Sequence, residues 1–331
     1  MPTIQNKLIR WDRDNTEGIN YNDLHAFILF RERHSYSEYM PTKKIGYGFS
    51  KRLTDWINNF SDDIWQKELF NFIPNIIFIG EKEFQSLYRS AYRELIYNWI
   101  ILKENINVLS DDIQSQLSHH LDKTWFCPAT DSLKIADFCH INNIEGNEYR
   151  PDWRSLAKLA NENQQEIYNH IKNRKIKNIV ILEDFVGSGR QFLGNSERPG
   201  ILSFIQKLKI DCDILLVPLL LCPKGQTSIQ FTINELKMNE KIKLSPVMAL
   251  PNELFVTSED RQYSPRIFDL IQQAYKVGLF SMHRHGFNDT GALIVMNSNC
   301  PNNSIPLIHE PTPTWKPLFQ RSSRSQYEKS T

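Results

Sequence analysis

Glu183 and Asp184 are adjacent carboxylates that close an apolar run, Ile179-Val180-Ile181-Leu182, and Phe185-Val186-Gly187-Ser188-Gly189-Arg190-Gln191 follows them. Carboxylates accept hydrogen bonds from hydroxyl groups. A small Gly-Ser-Gly turn that leads into a helix can present backbone N–H groups to an anion. The order describes a buried parallel strand that emerges from a sheet and opens into an anion-binding loop. A ligand with both hydroxyls and a phosphate suits this pair of features, and a phosphorylated ribose is such a ligand. The plainer alternative is an ordinary strand–turn–helix junction with two solvated acids.

Three commoner motifs do not fit. A P-loop requires Lys after its last glycine, and Arg190 follows Gly189. A dinucleotide fingerprint requires a third glycine where Phe192 stands, and it places its acid about twenty residues downstream. A nucleophile elbow requires glycine two residues before the serine, where Val186 stands.

The elements that must position this motif can be read from hydrophobic period. Residues 1–48 have mixed polarity and form an N-terminal arm with no assigned fold. Residues 49–121 read as a helical module. Leu53, Trp56, Ile57 and Phe60 share one helical face. Ser61 is the expected cap of a second helix with the stripe Trp65, Leu69, Phe72 and Ile73, ending near Pro74. A longer helix is expected over 81–103 and another over 111–121. Residues 122–321 change character. Strands are expected at 124–127, 179–183, 212–220, 244–250 and 292–296, with helices near 153–172, 201–209 and 266–280. Apolar strands spaced by helices indicate an α/β fold with a largely parallel sheet flanked by helices, preceded by the helical module. The Pro- and Asn-rich stretch 301–319 is expected to wrap the surface, and 322–331 to form a flexible basic tail.

The strand, the two acids, two mostly apolar residues and the Ser188-Gly189 turn resemble the phosphoribosyl diphosphate motif of type I phosphoribosyltransferases. A second stretch, Gly286-Phe287-Asn288-Asp289-Thr290-Gly291 running into Asn297–Ile308, and a third, Trp315–Arg321, extend the likeness. Together they resemble the phosphoribosyltransferase-like family of bacterial conflict and anti-phage gene clusters, including retron-associated members. The resemblance spans roughly residues 50–321. It implies that Glu183 and Asp184 bind the ribose hydroxyls and that Val186, Gly187, Ser188, Gly189, Arg190 and Gln191 cradle the 5′-phosphate; the expected catalytic residues are Asp184, whose charge would favour a developing cation on the sugar, and Glu183, which would assist. Three positions depart from the commonest form: Glu183 for the first Asp, Gly187 for a Thr, and Arg190-Gln191 for small residues. Arg190 could pair with a phosphate or face solvent.

A transferase of this type also needs a pyrophosphate loop. Thr130, Asp131 and Ser132, with Lys134 beyond, are the candidates to hold a diphosphate with Mg²⁺; an ordinary surface turn is the alternative. Arg150 and Arg154 could clamp phosphate, or Asp152 could simply cap a helix. Asn288 and Asp289 could read a base, or serve a turn between Gly286 and Gly291. The pairs His119-His120 and His283/His285 lack zinc partners in the sequence, so no metal site from protein ligands alone is expected.

Composition narrows the partners. The chain has 331 residues, 40% hydrophobic, with 39 basic and 38 acidic residues. A net charge of +1 gives no electrostatic reason to expect direct nucleic-acid binding. Five cysteines without a C-x-x-C pair indicate a reducing compartment, and no opening targeting signal or bilayer-length apolar run is present, so a cytoplasmic protein off the membrane is expected. The expected ligand is a phosphorylated ribose or nucleotide, and the helical module is the expected contact for a defence-system protein partner. The competing expectation is a nucleotide-sensing or protein-interaction module that retains the ribose-phosphate loop without catalysis.

Overall fold

The computed structural model describes residues 4–14, 18–41, 48–144, 164–194, 200–208, 210–258 and 265–322. The chain divides into two compact units, Met1–Glu81 with Glu253–Thr331, and Lys82–Asn252. These units cut across the segments drawn from the sequence. Helices Phe49–Ile57 and Asp63–Phe72 belong to the first unit, whereas Ile113–Leu121 belongs to the second. The reason is where the apolar faces go. Trp56, Leu69 and Phe72 pack in one core with Leu293, Leu307 and Trp315, far along the chain.

The unit Lys82–Asn252 is built on a parallel sheet. We number strands in chain order: β1 Ile77–Ile79, β2 Thr124–Pro128, β3 Asn178–Val186, β4 Asp213–Leu221, β5 Ile242–Leu244, β6 Met248–Ala249 and β7 Ile294–Met296. The order is β2-β3-β4-β5, with β6 also on β4, and every pairing is parallel. Every residue of β3 is buried, as befits a central strand covered on both faces. On one face Trp125, Cys127, Ile179 and Ile181 pack with Ile167, Phe204 and Ile229 from flanking helices. On the other, Phe126 meets Tyr92 and Phe138.

The strand expected at 244–250 is broken into β5 and β6, and proline explains the break. Val247 N–H donates to the Pro218 carbonyl at 2.9 Å, so the Pro218 nitrogen faces the same neighbour and has no N–H to give it. Pro246 lies opposite, in the gap. The β3 side of β4 keeps its pairing, including Glu183 with Pro218. Helix Glu81–Ser90 continues through a π-helical turn, Ala91–Ile96, into Tyr97–Lys103, so the long helix is present with one widened turn. Helix Pro223–Glu235 adds to the expected elements: its first turn carries Lys224, Gly225 and Gln226, and its buried face is narrow, Gly225, Ile229 and Ile233. The helix expected near 153–172 is described only over Gln164–Arg174.

The other unit corrects three expectations. Residues 1–48 contribute helices Ile4–Arg13 and Tyr21–His34, whose Trp11, Tyr21 and Ile28 are buried. The cap of Asp63–Phe72 is Asp62, whose carboxylate accepts the Ile64 N–H, and not Ser61. The stretch 301–319 is core: Leu307, Ile308, Trp315, Leu318 and Phe319 are fully buried. The Phe319 ring meets Tyr36 and Tyr39 edge-on, and Trp56 Nε1–H donates to the Leu307 carbonyl at 3.0 Å. Pro306 opens a short helix, Pro306–His309, and is itself buried with Leu307 and Ile308. β1 and β7 pair in parallel in this unit. The proposed tail, 322–331, lies outside the described residues from 323 onward. Phe319→Ala should therefore cost about 3–5 kcal/mol in denaturant unfolding. A surface-wrapping segment would lose no more than about 0.5 kcal/mol.

Candidate functional site

The two acids sit at the carboxyl end of β3 and are buried, Glu183 at 1% exposure and Asp184 at 5%. They are not the solvated acids of a plain junction. The loop after β2 meets both. Thr130 N–H donates to Glu183 Oε2 at 2.9 Å, and the Thr130 hydroxyl reaches Oε1 at 2.7 Å. The Ser132 hydroxyl reaches Asp184 Oδ1 at 2.9 Å, and the two hydroxyls lie 2.7 Å apart. Gln191 Nε2 donates to Glu183 Oε1 at 3.2 Å, and Phe185 N–H to Asp184 Oδ1 at 2.7 Å.

Burial pushes both carboxyls above their ordinary range, and for Glu183 the neighbouring Asp184 charge adds to it. The hydrogen bonds from Thr130, Gln191 and Ser132 pull the other way without cancelling burial. Proton counting agrees with a shared proton. Three oxygen–oxygen contacts link Glu183, Thr130, Ser132 and Asp184, but two hydroxyls supply only two protons. All three become hydrogen bonds when one acid holds the third.

The turn that follows is compact. Gly187, Ser188 and Gly189 are buried, and Gly189 has φ 76°, the left-handed region that favours glycine. A four-residue helix, Arg190–Leu193, comes next, with Arg190 exposed and Phe192 buried. Helix Pro223–Glu235 braces the turn from behind. Cys222 N–H donates to the Val186 carbonyl at 2.9 Å, and a Cβ added at Gly225 would lie 2.6 Å from the Gly187 oxygen and 2.9 Å from Val186 Cγ1.

The structure thus gathers Thr130, Ser132, Glu183, Asp184 and Gln191 into one hydrogen-bonded group. Asp131 and Lys134 lie exposed on the same loop. Asn288 and Asp289 belong to the other unit and both have positive φ, 55° and 52°. There the Asp289 carboxylate accepts from Ser258 N–H and hydroxyl, a turn-bracing role. Arg150, Asp152 and Arg154 lie outside the described residues. Among the described residues no three His, Cys, Asp or Glu side chains are grouped to hold a metal.

Two contributors escaped the sequence reading. Tyr88 is buried, and its phenol is pushed up first by burial and then by the Asp184 and Asp137 charges. In the sequence it is one aromatic in a helical stripe, and the adjoining π-helical turn leaves no local signature. Gly225 follows Lys224 in an unremarked Pro-Lys-Gly triplet; a glycine in the first turn of a helix was the available signal.

Two outcomes follow from this geometry. Gly225→Ala must displace the Gly187 carbonyl, and thermal or denaturant unfolding should report a loss of about 1–3 kcal/mol. Asp184→Asn keeps the Oδ1 acceptor for Ser132 and Phe185 and removes a desolvated charge. In the pH range where the native acids hold protons that the unfolded chain has released, stability falls as pH rises. The variant should therefore melt with the wild type in acid and above it towards neutral and alkaline pH, by roughly 2–4 °C per kcal/mol. A gap that is constant with pH would contradict the raised carboxyl.

A family model described as PRTase-CE matches residues 53–321, a span that takes in the whole of this site and most of both units. No curated protein and no solved structure matches the chain. No described helix is long and apolar enough to cross a membrane. The mostly parallel sheet flanked by helices is consistent with a phosphoribosyltransferase-like fold, and the chain belongs to the PRTase-CE family, a phosphoribosyltransferase-like family.

Proposed function

We propose that the unit Lys82–Asn252 binds phosphoribosyl diphosphate, or a related phosphorylated ribose or nucleotide, and acts on its anomeric carbon. The observation that carries this reading is a pair of buried carboxylates held only by neutral donors, at the end of a parallel strand, directly before a glycine turn. Ligands of open parallel sheets lie beyond the carboxyl ends of the strands. Asp184 would accept a ribose hydroxyl. Glu183 would assist, and the 186–191 turn would hold the 5′-phosphate, with the exposed Arg190 guanidinium reaching its oxygens.

In the transfer step an acceptor atom bonds to the anomeric carbon as the carbon–oxygen bond to diphosphate breaks, and the electron pair leaves with the diphosphate. Positive charge develops on the sugar. The anionic end of β3 favours that charge as it forms. Mg²⁺ fits as the diphosphate's counter-ion and would offset charge on the leaving group. The described residues offer no three-ligand group of their own, so the ion would be held chiefly by phosphate oxygens and water. Thr130, Asp131, Ser132 and Lys134 line the side where a diphosphate would lie.

The proposal extends to a role as an effector in bacterial anti-phage defence, acting with a protein partner. A second reading, a ligand sensor without turnover, draws on one observation: both Glu183 oxygens already accept hydrogen bonds within the chain.

Calorimetry with phosphoribosyl diphosphate and Mg²⁺ should give binding that Asp184→Asn weakens at least tenfold, the loss of one charged hydrogen bond of about 1.5–3 kcal/mol. Equal binding by the variant would refute the site. Product analysis with candidate acceptors should show turnover in the wild type alone; saturable binding with no product selects the sensor.

A further inference from the structure

Thr130 and Ser132 present two hydroxyl oxygens 2.7 Å apart, one reaching Glu183 and the other Asp184. Vicinal cis hydroxyls of a furanose offer the same arrangement to the same two acids. On the reading that this site takes a phosphorylated ribose, we propose that the Thr130 and Ser132 hydroxyls are internal place-holders for the ligand's diol, which must displace them to bind.

The loop is built for such an exchange. Its ends are fixed: Ala129 is buried with its N–H on the Leu182 carbonyl at 2.7 Å, and Leu133 is buried ahead of helix Ile135–Ile141. Between them Thr130 is half-buried and Ser132 exposed. Rotation about χ1 withdraws either hydroxyl without moving the backbone, and Thr130 N–H stays on Glu183. A carboxylate this buried is costly to leave without donors, so the ligand-free chain supplies its own. The cost is in affinity. Ligand binds only the fraction of molecules whose hydroxyls have withdrawn, and its apparent dissociation constant rises in inverse proportion to that fraction.

This gives Thr130 and Ser132 a role opposite in sign to direct diphosphate binding. Direct ligands lose affinity when truncated, whereas place-holders gain it. The probe is ribose 5-phosphate, which carries the diol and the phosphate but no diphosphate, titrated calorimetrically against wild type, Ser132→Ala, Thr130→Val and the pair together. Each single variant should bind severalfold more tightly and the double variant more tightly still. Inorganic phosphate, which has no diol, should bind all four proteins equally; a general loosening of the fold would not discriminate between the probes. Binding seen only in the variants also supports the exchange. Wild-type binding that Ser132→Ala weakens or leaves unchanged overturns it while the ribose site stands. No binding of ribose 5-phosphate or phosphoribosyl diphosphate by any of the four proteins overturns both.

Discussion

Two neighbouring carboxylates buried at the end of one strand set the terms for this structure. Desolvation disfavours their charged forms, and each makes the other harder to ionise. Buried acids in proteins are commonly paired with a base, yet neither Glu183 nor Asp184 has an ion-pair partner among the described residues. The fold answers with neutral donors: a backbone N–H and a hydroxyl from Thr130, a hydroxyl from Ser132, an amide from Gln191 and the N–H of Phe185. Neutral donors satisfy hydrogen bonds but leave the negative potential largely in place. A site with that potential is favourable for positive charge brought or developed there, and unfavourable for the empty protein. Such local cost is tolerated where binding or catalysis needs it.

The surrounding backbone can be understood as support for that strand end. β3 is covered on both faces, and although β2 leaves it after Leu182, β4 stays paired through Val186 and holds its final residues. Pro218 turns its missing donor towards the interrupted edge and leaves the β3 ladder intact. Gly225 lets helix Pro223–Glu235 approach the Gly187 carbonyl more closely than any other residue would permit. The turn after the acids is thus held in place by backbone contacts to residues 222 and 225.

Much of this was legible in the sequence where the information is local. The run Ile179–Leu182 ends in two acids and a glycine turn, and a buried parallel strand is what such a run makes. Thr130 and Ser132 stand out in the sequence as loop hydroxyls, but their contacts to Glu183 and Asp184 depend on how the loop after β2 folds back onto β3. Tyr88 was indistinguishable from its core neighbours, since its nearness to Asp184 depends on helix–sheet packing. Residues 301–319 misled through composition: prolines and asparagines mark turns, but Trp315, Leu318 and Phe319 between them carry enough apolar surface to enter the core. Ser61 and Asp62 are both good caps, and only the backbone geometry at Asp62 decides between them.

Two of the departures from the usual ribose-phosphate motif are better understood as a linked pair than as separate losses. Glu183 is one methylene longer than Asp, and its carboxylate spans from Thr130 on the loop after β2 to Gln191 beyond the glycine turn. A shorter acid would have less reach between those loops, and a small residue at 191 would have no amide to meet it. Glu183 and Gln191 are therefore two halves of one contact, which ties the acid to the turn. The close approach at Gly225 is a separate brace, made to the backbone carbonyl of residue 187. Acid and turn thus hold one another through a side-chain contact that a shorter acid followed by small residues would lack.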